Sequence, residues 1–433
     1  MRARTDARSI DQQQQRHGRE EIISCVRALL MTPLMSPTHD EFASVRRRAD
    51  ALRDWFARET GWALHIARDG ARLFKRPATL VDATRGLPKY DRRRYALLCL
   101  ACAVLERAEP QITLRVLGER LLLMAAEPDL ATSGFTFTLG AQHERGELVA
   151  VCRTLLELGV LLRVAGDEEG FVRAGADMAD ALYDVGRRAL SGMLAAVRGP
   201  STWPLEEAPI GIEARLRALV DEHVADSDEA RRTAIRHHLS RRLLDDPVIY
   251  VESLDDDARA YFVNQRGALA ARLGDSAGLG IEQRAEGLAL VDESGDLTDV
   301  AMPAEGTDAH ATLLVADFLA TSYRNARTAG RNGEGALSVQ PIHEEAVRAF
   351  LARAKDDYGR YWRKSAREPG GEDELTEVAL DRLAKLALIA RDGREIRPLP
   401  ALARFALGAP EAAAMRPRTY VQPDLLLGGA QAT

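Results

Sequence analysis

Aromatic side chains are scarce, with Phe, Trp and Tyr making up 5% of the 433 residues. Cysteine is scarcer still: Cys25, Cys99, Cys102 and Cys152 are the whole supply. Four thiols cannot staple a chain of this size, which points to reduced cysteines and a cytoplasmic setting. No apolar run approaches the roughly 18 residues that cross a bilayer, so no membrane association is expected. Met1 to Arg16 has no apolar stretch of the kind an export signal needs. A basic excess is missing as well. Lys and Arg number 59 against 65 Asp and Glu, a formal net charge of -6. That excludes a uniformly basic nucleic-acid coat and leaves room for a local basic face.

The signatures of catalysis are also lacking. There is no Gly-rich loop ending in Lys-Ser/Thr to cradle phosphates, and His343-Glu-Glu has no second His at i+4. Gly-x-Ser-x-Gly does not occur. Cys99-x-x-Cys102 has metal spacing but lacks two further ligands, and it falls in an apolar helix stripe where Cys packs as a small hydrophobe. The Asp245-Asp246 pair reads as the entry to a strand, and Asp255 to Asp257 as the first turn of a helix favoured by its dipole. No enzyme activity, cofactor or metal is expected.

What the chain does have is helical periodicity. Its length exceeds what one core can serve, so two to four domains are expected. Phe42, Val45, Ala49, Leu52 and Phe56 keep 3-4 spacing and form one stripe. Leu114, Leu117, Leu121 and Met124 repeat it, as do Tyr95, Leu98, Cys102 and Leu105, and later Val347, Phe350, Ala354, Tyr358 and Tyr361.

Several of these helices run into hairpin signals. Ile66 to Gly70 and Ile389 to Gly393 are the same five residues, Ile-Ala-Arg-Asp-Gly, each flanked by short apolar runs. Asp-Gly supplies the positive φ of a tight hairpin turn. A looser copy, Gly159 to Leu162 and then Phe171 to Arg173, follows a helix from about Glu144 to Leu158. A further hairpin is possible over Leu288 to Leu297 around Glu293-Ser294-Gly295, without an obvious helix before it.

Helix, short strand, helix, helix and hairpin is the order of a winged helix. The expected fold is therefore mainly α with small β-hairpins, in tandem winged-helix domains. A flexible polar leader is expected over 1–16 and a partial winged-helix region over 17–80. A central winged helix spans 90–200, a helical region with a small β element 208–330, a second full winged helix 338–407, and a tail 408–433.

Four basic clusters are the candidate DNA contacts. They are Arg46, Arg47 and Arg48; Arg92, Arg93 and Arg94; Arg231, Arg232, Arg236, Arg241 and Arg242; and Arg360, Arg363 and Lys364. The last interleaves cations with Tyr361 and Trp362, a mixture suited to phosphates and bases.

One of these clusters opens a stretch with a family likeness. Arg92 to Ala101, running on to Leu105-Glu-Arg107 and Gln111 to Leu114, resembles a signature of the MukE-like (KITE) subunits of Wadjet-type SMC plasmid-defence complexes. Leu243 to Tyr250, His310 to Leu314 and Pro400 to Phe405 resemble further segments of the same family. The resemblance implies a non-catalytic homodimer of tandem winged helices that binds the kleisin subunit below an SMC-type ATPase. Double-stranded DNA would be contacted within that complex. The alternative is a free-standing winged-helix transcription regulator, which would need one strongly basic recognition helix. A nuclease would need a metal-binding carboxylate cluster.

Overall fold

The computed structural model describes residues 2–405 except 79, 81–84, 133, 175–178, 197–198, 200–201, 221–223 and 331–340, with backbone only for 2–12, 129, 131, 174 and 325–330. The protein is mainly helical, and its described residues form four small antiparallel sheets of three strands each. Two compact bodies divide the chain, Met1–Ala301 and Met302–Thr433.

All four sheets share one construction. A lone strand pairs with the second strand of a hairpin, giving the order first, third, second. In each case a helix precedes the lone strand and another precedes the hairpin. The first repeat runs through helix Arg2–Met31, strand Leu34–Met35, helices Phe42–Arg47 and Ala49–Thr60, and strands Leu64–Ala67 and Gly70–Leu73. The second has helix Arg92–Glu106, strand Gln111–Thr113, helices Leu114–Ala125 and Gln142–Glu157, and strands Leu161–Gly166 and Ala181–Val185. In the third, helix Asp228–Asp245, strand Ile249–Tyr250 and helix Asp256–Ala277 lead to strands Gly280–Gln283 and Gly287–Val291. The fourth comprises helix Thr307–Gly330, strand Ile342–His343, helices Glu344–Tyr358 and Gly371–Lys385, and strands Ile389–Asp392 and Glu395–Pro398.

Local chemistry sets these boundaries. Side chains of Asp91, Thr113, Ser227 and Asp255 cap their helices by accepting from the backbone N–H three residues on. Gly61 and Gly278 end the helices before the first and third hairpins in the left-handed conformation.

Several expectations are corrected. The segment expected as a polar leader lies within helix Arg2–Met31, which supplies the first helix missing from the partial winged-helix region expected over 17–80. The stripe Phe42 to Phe56 is broken at Arg48, whose backbone leaves helical geometry, so it forms two helices. In the second repeat Phe171 to Arg173 are helical, within Glu168–Ala174, and the returning strand is Ala181–Val185. Acidic Glu168 and Glu169 favour a helix start there, and Phe171 is buried in the core instead of pairing. The hairpin expected at Leu288 to Leu297 lies earlier, because Arg284 N–H donates to the Gly287 carbonyl and closes the turn there. The helix before it is Asp256–Ala277, and the fourth repeat starts upstream of 338, at Thr307. Residues 408–433, expected as a tail, lie outside the described residues.

Within the N-terminal body the second repeat has its own core. The first and third repeats share one, built around Phe56, Trp62, Phe262 and Leu273. Their packing is reciprocal. The first helix of each repeat lies on the pre-hairpin helix of the other. Arg241 Nε donates to the Thr60 carbonyl at 2.7 Å, and an Arg27 Nη1 reaches the Ala277 carbonyl at 3.4 Å. Each guanidinium therefore meets the carbonyl end of the opposite helix, where the helix dipole favours a cation. The sequence carries the same symmetry. Arg27-x-Leu29-Leu30-x-x-Pro33 and Arg241-x-Leu243-Leu244-x-x-Pro247 are one pattern, each ending a first helix and entering the lone strand. These two repeats form a paired unit inside one chain.

In the C-terminal body, helices Thr307–Gly330, Glu344–Tyr358 and Gly371–Lys385 enclose Val315, Leu319, Val347, Leu351, Leu380 and Leu383. Trp362 is buried there, and its Nε1 donates to His310 Nδ1 at 3.1 Å.

Candidate nucleic-acid interface

The helices before the hairpins are the ones a winged helix would offer to a groove, so their charge decides what they can meet. In Ala49–Thr60, Asp50, Asp54 and Glu59 oppose Arg53 and Arg58. In Gln142–Glu157, Glu144, Glu147 and Glu157 oppose Arg145 and Arg153. Gly371–Lys385 is the most acidic, with Glu372, Asp373, Glu374, Glu377 and Asp381 against Arg382 and Lys385. Asp256–Ala277 differs: between its terminal Asp257 and Asp275 it carries Arg259, Arg266 and Arg272 and no acid.

The structure sorts the candidate arginines by what they touch. Arg47 and Arg48 both bind the Glu21 carboxylate, Nη2 at 2.5 Å and Nε at 2.7 Å, and these two bonds hold Glu21 below its usual range. Arg46 is exposed and lies over the Phe42 ring at 5.9 Å. Arg93 bridges Glu144 at 2.9 Å and Glu147 at 3.0 Å, tying two helices of the second repeat. Burial works to raise the Glu144 carboxyl, and the Thr138 hydroxyl and N–H together with Arg93 bring it below the usual range. Arg94 donates to the Lys89 carbonyl and lies 5.5 Å from the Tyr90 ring centre. Arg92 is exposed.

In the third repeat Arg231 pairs with Asp226 and Asp228, and Arg242 with Asp246. Arg236 donates to the Arg58 carbonyl, and buried Arg241 to that of Thr60. Arg232 is exposed. His238, inside the same run, adds no charge at neutral pH, because burial and then Arg242 and Arg241 hold it below the usual imidazole range. In the fourth repeat Arg363 binds Asp308 and Glu374. Arg360 stacks over the ring of exposed Tyr361 at 4.6 Å, and Lys364 is exposed beside it. The clusters thus divide. Arg47, Arg48, Arg93, Arg236, Arg241, Arg242 and Arg363 hold elements together, while Arg46, Arg92, Arg232, Arg360 and Lys364 face outward.

Cys102 is half-buried against the core of the second repeat, as expected, whereas Cys99 is exposed and does not pack there. Among the described residues no group of three or more His, Cys, Asp or Glu side chains is placed to hold a metal ion. No described helix is long and apolar enough to cross a membrane.

Buried Glu59 shows how charge serves the paired unit. It accepts from Arg58 Nε at 2.8 Å and Arg272 Nε at 3.2 Å, the second bond linking the first and third repeats. Burial works to raise its pKa, but the bonds to Arg58 and Arg272 outweigh it and leave the carboxyl below its ordinary value. Its stabilisation is therefore present above the unfolded carboxyl value, about 4.3, and is lost as pH falls through the lower native one. A plot of urea midpoint against pH should decline on its acid limb, and Glu59→Gln should flatten that limb. An unchanged acid limb in the variant would show that Glu59 carries none of the effect.

Together these features define a mainly helical protein with four repeated units among its described residues, and each of the four basic clusters keeps at least one outward-facing cation beside its paired arginines. The chain belongs to the family described as protein of unknown function DUF2398, whose model matches residues 26–408. That match covers the greater part of all four repeats. No curated protein and no solved structure matches the chain.

Proposed function

We propose that this protein is a non-catalytic, KITE-type subunit of an SMC-like, loop-extruding complex that defends against plasmids. It binds the kleisin and the SMC-type ATPase assembly and contacts duplex DNA held within it. It acts in the cytoplasm, without a cofactor, and forms a homodimer. The observation that carries the reading is repetition. Four consecutive units have a helix, a lone strand, one or two helices and a hairpin, with sheet order first, third, second. We read each unit as a winged helix, the module of which KITE subunits are built.

The segments that carry the family likeness support it by where they fall. Arg92 to Ala101 starts the first helix of the second repeat, and Gln111 to Thr113 is its lone strand. Leu243 to Tyr250 ends the first helix of the third repeat and enters its strand, and His310 to Leu314 lies in the first helix of the fourth. Three of the four segments thus fall on first helices and lone strands, while Pro400 to Phe405 follows the last hairpin. Because the first and third repeats already cover each other, a homodimer would form through other surfaces.

Duplex binding by the isolated chain and by the assembled complex tests this reading. The complex is expected to bind without sequence preference, and the isolated chain more weakly. Charge reversal at Arg92, or at Arg360 with Lys364, should reduce binding by the complex several-fold, since each lost phosphate contact also lowers the salt dependence by about 0.9 in log–log slope. Tight, sequence-specific binding by the isolated chain would instead make it a free-standing regulator.

A further inference from the structure

We infer that helix Asp256–Ala277, with the hairpin that follows it, is a duplex-DNA contact of the N-terminal body. The inference rests on the reading that the chain contacts DNA, and it says where. Of the four pre-hairpin helices, three carry more acids than bases. This one has an acid-free stretch from 258 to 274 with three arginines. A polyanion is repelled by the first three, whereas this helix is formally neutral. Arg259 pairs with Asp256 and Arg272 with Glu59, and Arg266 at its middle has no acidic partner among the described residues.

Geometry agrees with charge. The far end of the helix is occupied: Arg27 and Arg19 of helix Arg2–Met31 contact Ala277 and Asp275. The middle is open, with Ala260, Val263, Asn264, Gly267, Ala268 and Ala271 forming one exposed stripe. A Cβ on Gly267 would meet only the tip of the Gln283 side chain, at 3.7 Å. Short side chains there let the backbone approach a phosphate wall closely. Asn264 and Gln265 can both donate and accept, as base-edge contacts require. Arg266 donates to the Arg284 carbonyl at 3.1 Å, which ties the helix to the hairpin turn. Arg284 is exposed at that turn, where a wing meets the neighbouring backbone. Among the described residues no acidic side chain pairs with Arg266 or Arg284.

A smooth stripe could also receive a second copy of the same helix, but the charges oppose it. The stripe is symmetric about a point between Gln265 and Arg266, with Ala260 matching Ala271 and Val263 matching Ala268. An antiparallel pair centred there would set Arg259 against Arg272 and Asp256 against Asp275. Like charges would face each other at both ends. A polyanionic duplex meets no such conflict with Arg266 and the neighbouring Arg284.

The test uses the full-length protein, alone and in its complex, with a linear duplex of mixed sequence as probe. Ala268→Glu with Ala271→Glu adds two negative charges to exposed positions and suits a helix. Duplex affinity should fall about tenfold or more, because the new charges face the phosphates. Ala57→Glu, on the already acidic Ala49–Thr60 helix, should change it little. Unchanged circular dichroism and melting would show that the variants fold. Independently, a photo-crosslinking amino acid incorporated at position 265 in place of Gln265 should capture the duplex in the otherwise native protein. If the native complex binds no DNA, the broader reading fails and this inference with it. If it binds DNA but the double variant and the crosslink show no difference from Ala57→Glu, the broader reading stands and this inference is overturned. Loss of a second copy or of a partner subunit, with DNA binding intact, would overturn it too and assign the stripe to protein docking.

Discussion

Gly166→Ala is expected to cost at least about 3 kcal/mol, combining backbone strain with a clash that nothing nearby can relieve. Gly166 has φ +105°, in the region that favours glycine. A Cβ there would lie 2.2 Å from the Asp180 carbonyl oxygen and 2.5 Å from the Ala181 Cα. Ala181 opens the returning strand Ala181–Val185 and Asp180 is the residue before it, so relief means disturbing the strand pair. The buried side of that hairpin holds Tyr183, whose hydroxyl donates to Glu168 at 2.8 Å. Glu168 in turn accepts from Arg163 at 2.6 Å. Losing the pair would release this set together. Gly146→Ala provides the contrast. Gly146 lies within helix Gln142–Glu157 and a Cβ would meet nothing within 4 Å. That change should stabilise by about 0.5–1 kcal/mol, the helix penalty of glycine. Urea midpoints measured side by side decide it, and equal midpoints for the two variants would contradict the strand geometry.

Arg241→Ala should weaken the paired first and third repeats by about 2–3 kcal/mol. Charge-assisted hydrogen bonds are worth this much when removal strands a buried acceptor. Arg241 is 6% exposed, and its Nε satisfies the Thr60 carbonyl at the end of helix Ala49–Thr60. Lysine should not rescue it, because an ammonium lacks the planar fork. Arg27→Ala should act on the opposite side, freeing Ala277 and the loop held through Asp292 at 3.0 Å and Ser294 at 2.6 Å. Hydrogen exchange resolves the two effects within the full chain. Arg241→Ala should speed exchange first in Ala49–Thr60, and Arg27→Ala first in the end of Asp256–Ala277. Exchange that rises only in the mutated helix itself would show that the reciprocal caps do not hold the pair.

Much of this architecture can be read from the chain because its turns announce themselves. Asp-Gly at 69–70 and 392–393 locates two hairpins, and 3-4 spacing finds the helices that precede them. The helices and lone strand of the second repeat are legible, with Asp91 and Thr113 capping two helix starts. Its returning strand is not: Phe171 to Arg173 form a helix and Ala181–Val185 makes the strand. The third repeat is hidden for a physical reason. Its long helix is rich in alanine and glycine and exposes small side chains, so its periodic contrast is weak. Its hairpin turns at Gln283 to Gly287 without an Asp-Gly or Asn-Gly pair. The signal that would have revealed it is the recurrence of Arg-x-Leu-Leu-x-x-Pro at Arg27 and Arg241. Basic runs are the least legible feature. Arg92, Arg93 and Arg94 are neighbours in sequence, yet Arg93 belongs to an internal bridge with Glu144 and Glu147 and Arg92 to the surface. Only the positions of acids distant in sequence separate those roles.

The central proposal is that this chain is an assembly subunit of an SMC-type machine. Its most direct test is affinity purification of the full-length protein co-expressed with the products of its neighbouring genes, read by native mass. Recovery of a stoichiometric complex containing an SMC-type ATPase and a kleisin, stable to gel filtration, is the predicted result. Recovery of the chain by itself, with those subunits expressed and soluble in the same cells, would contradict it.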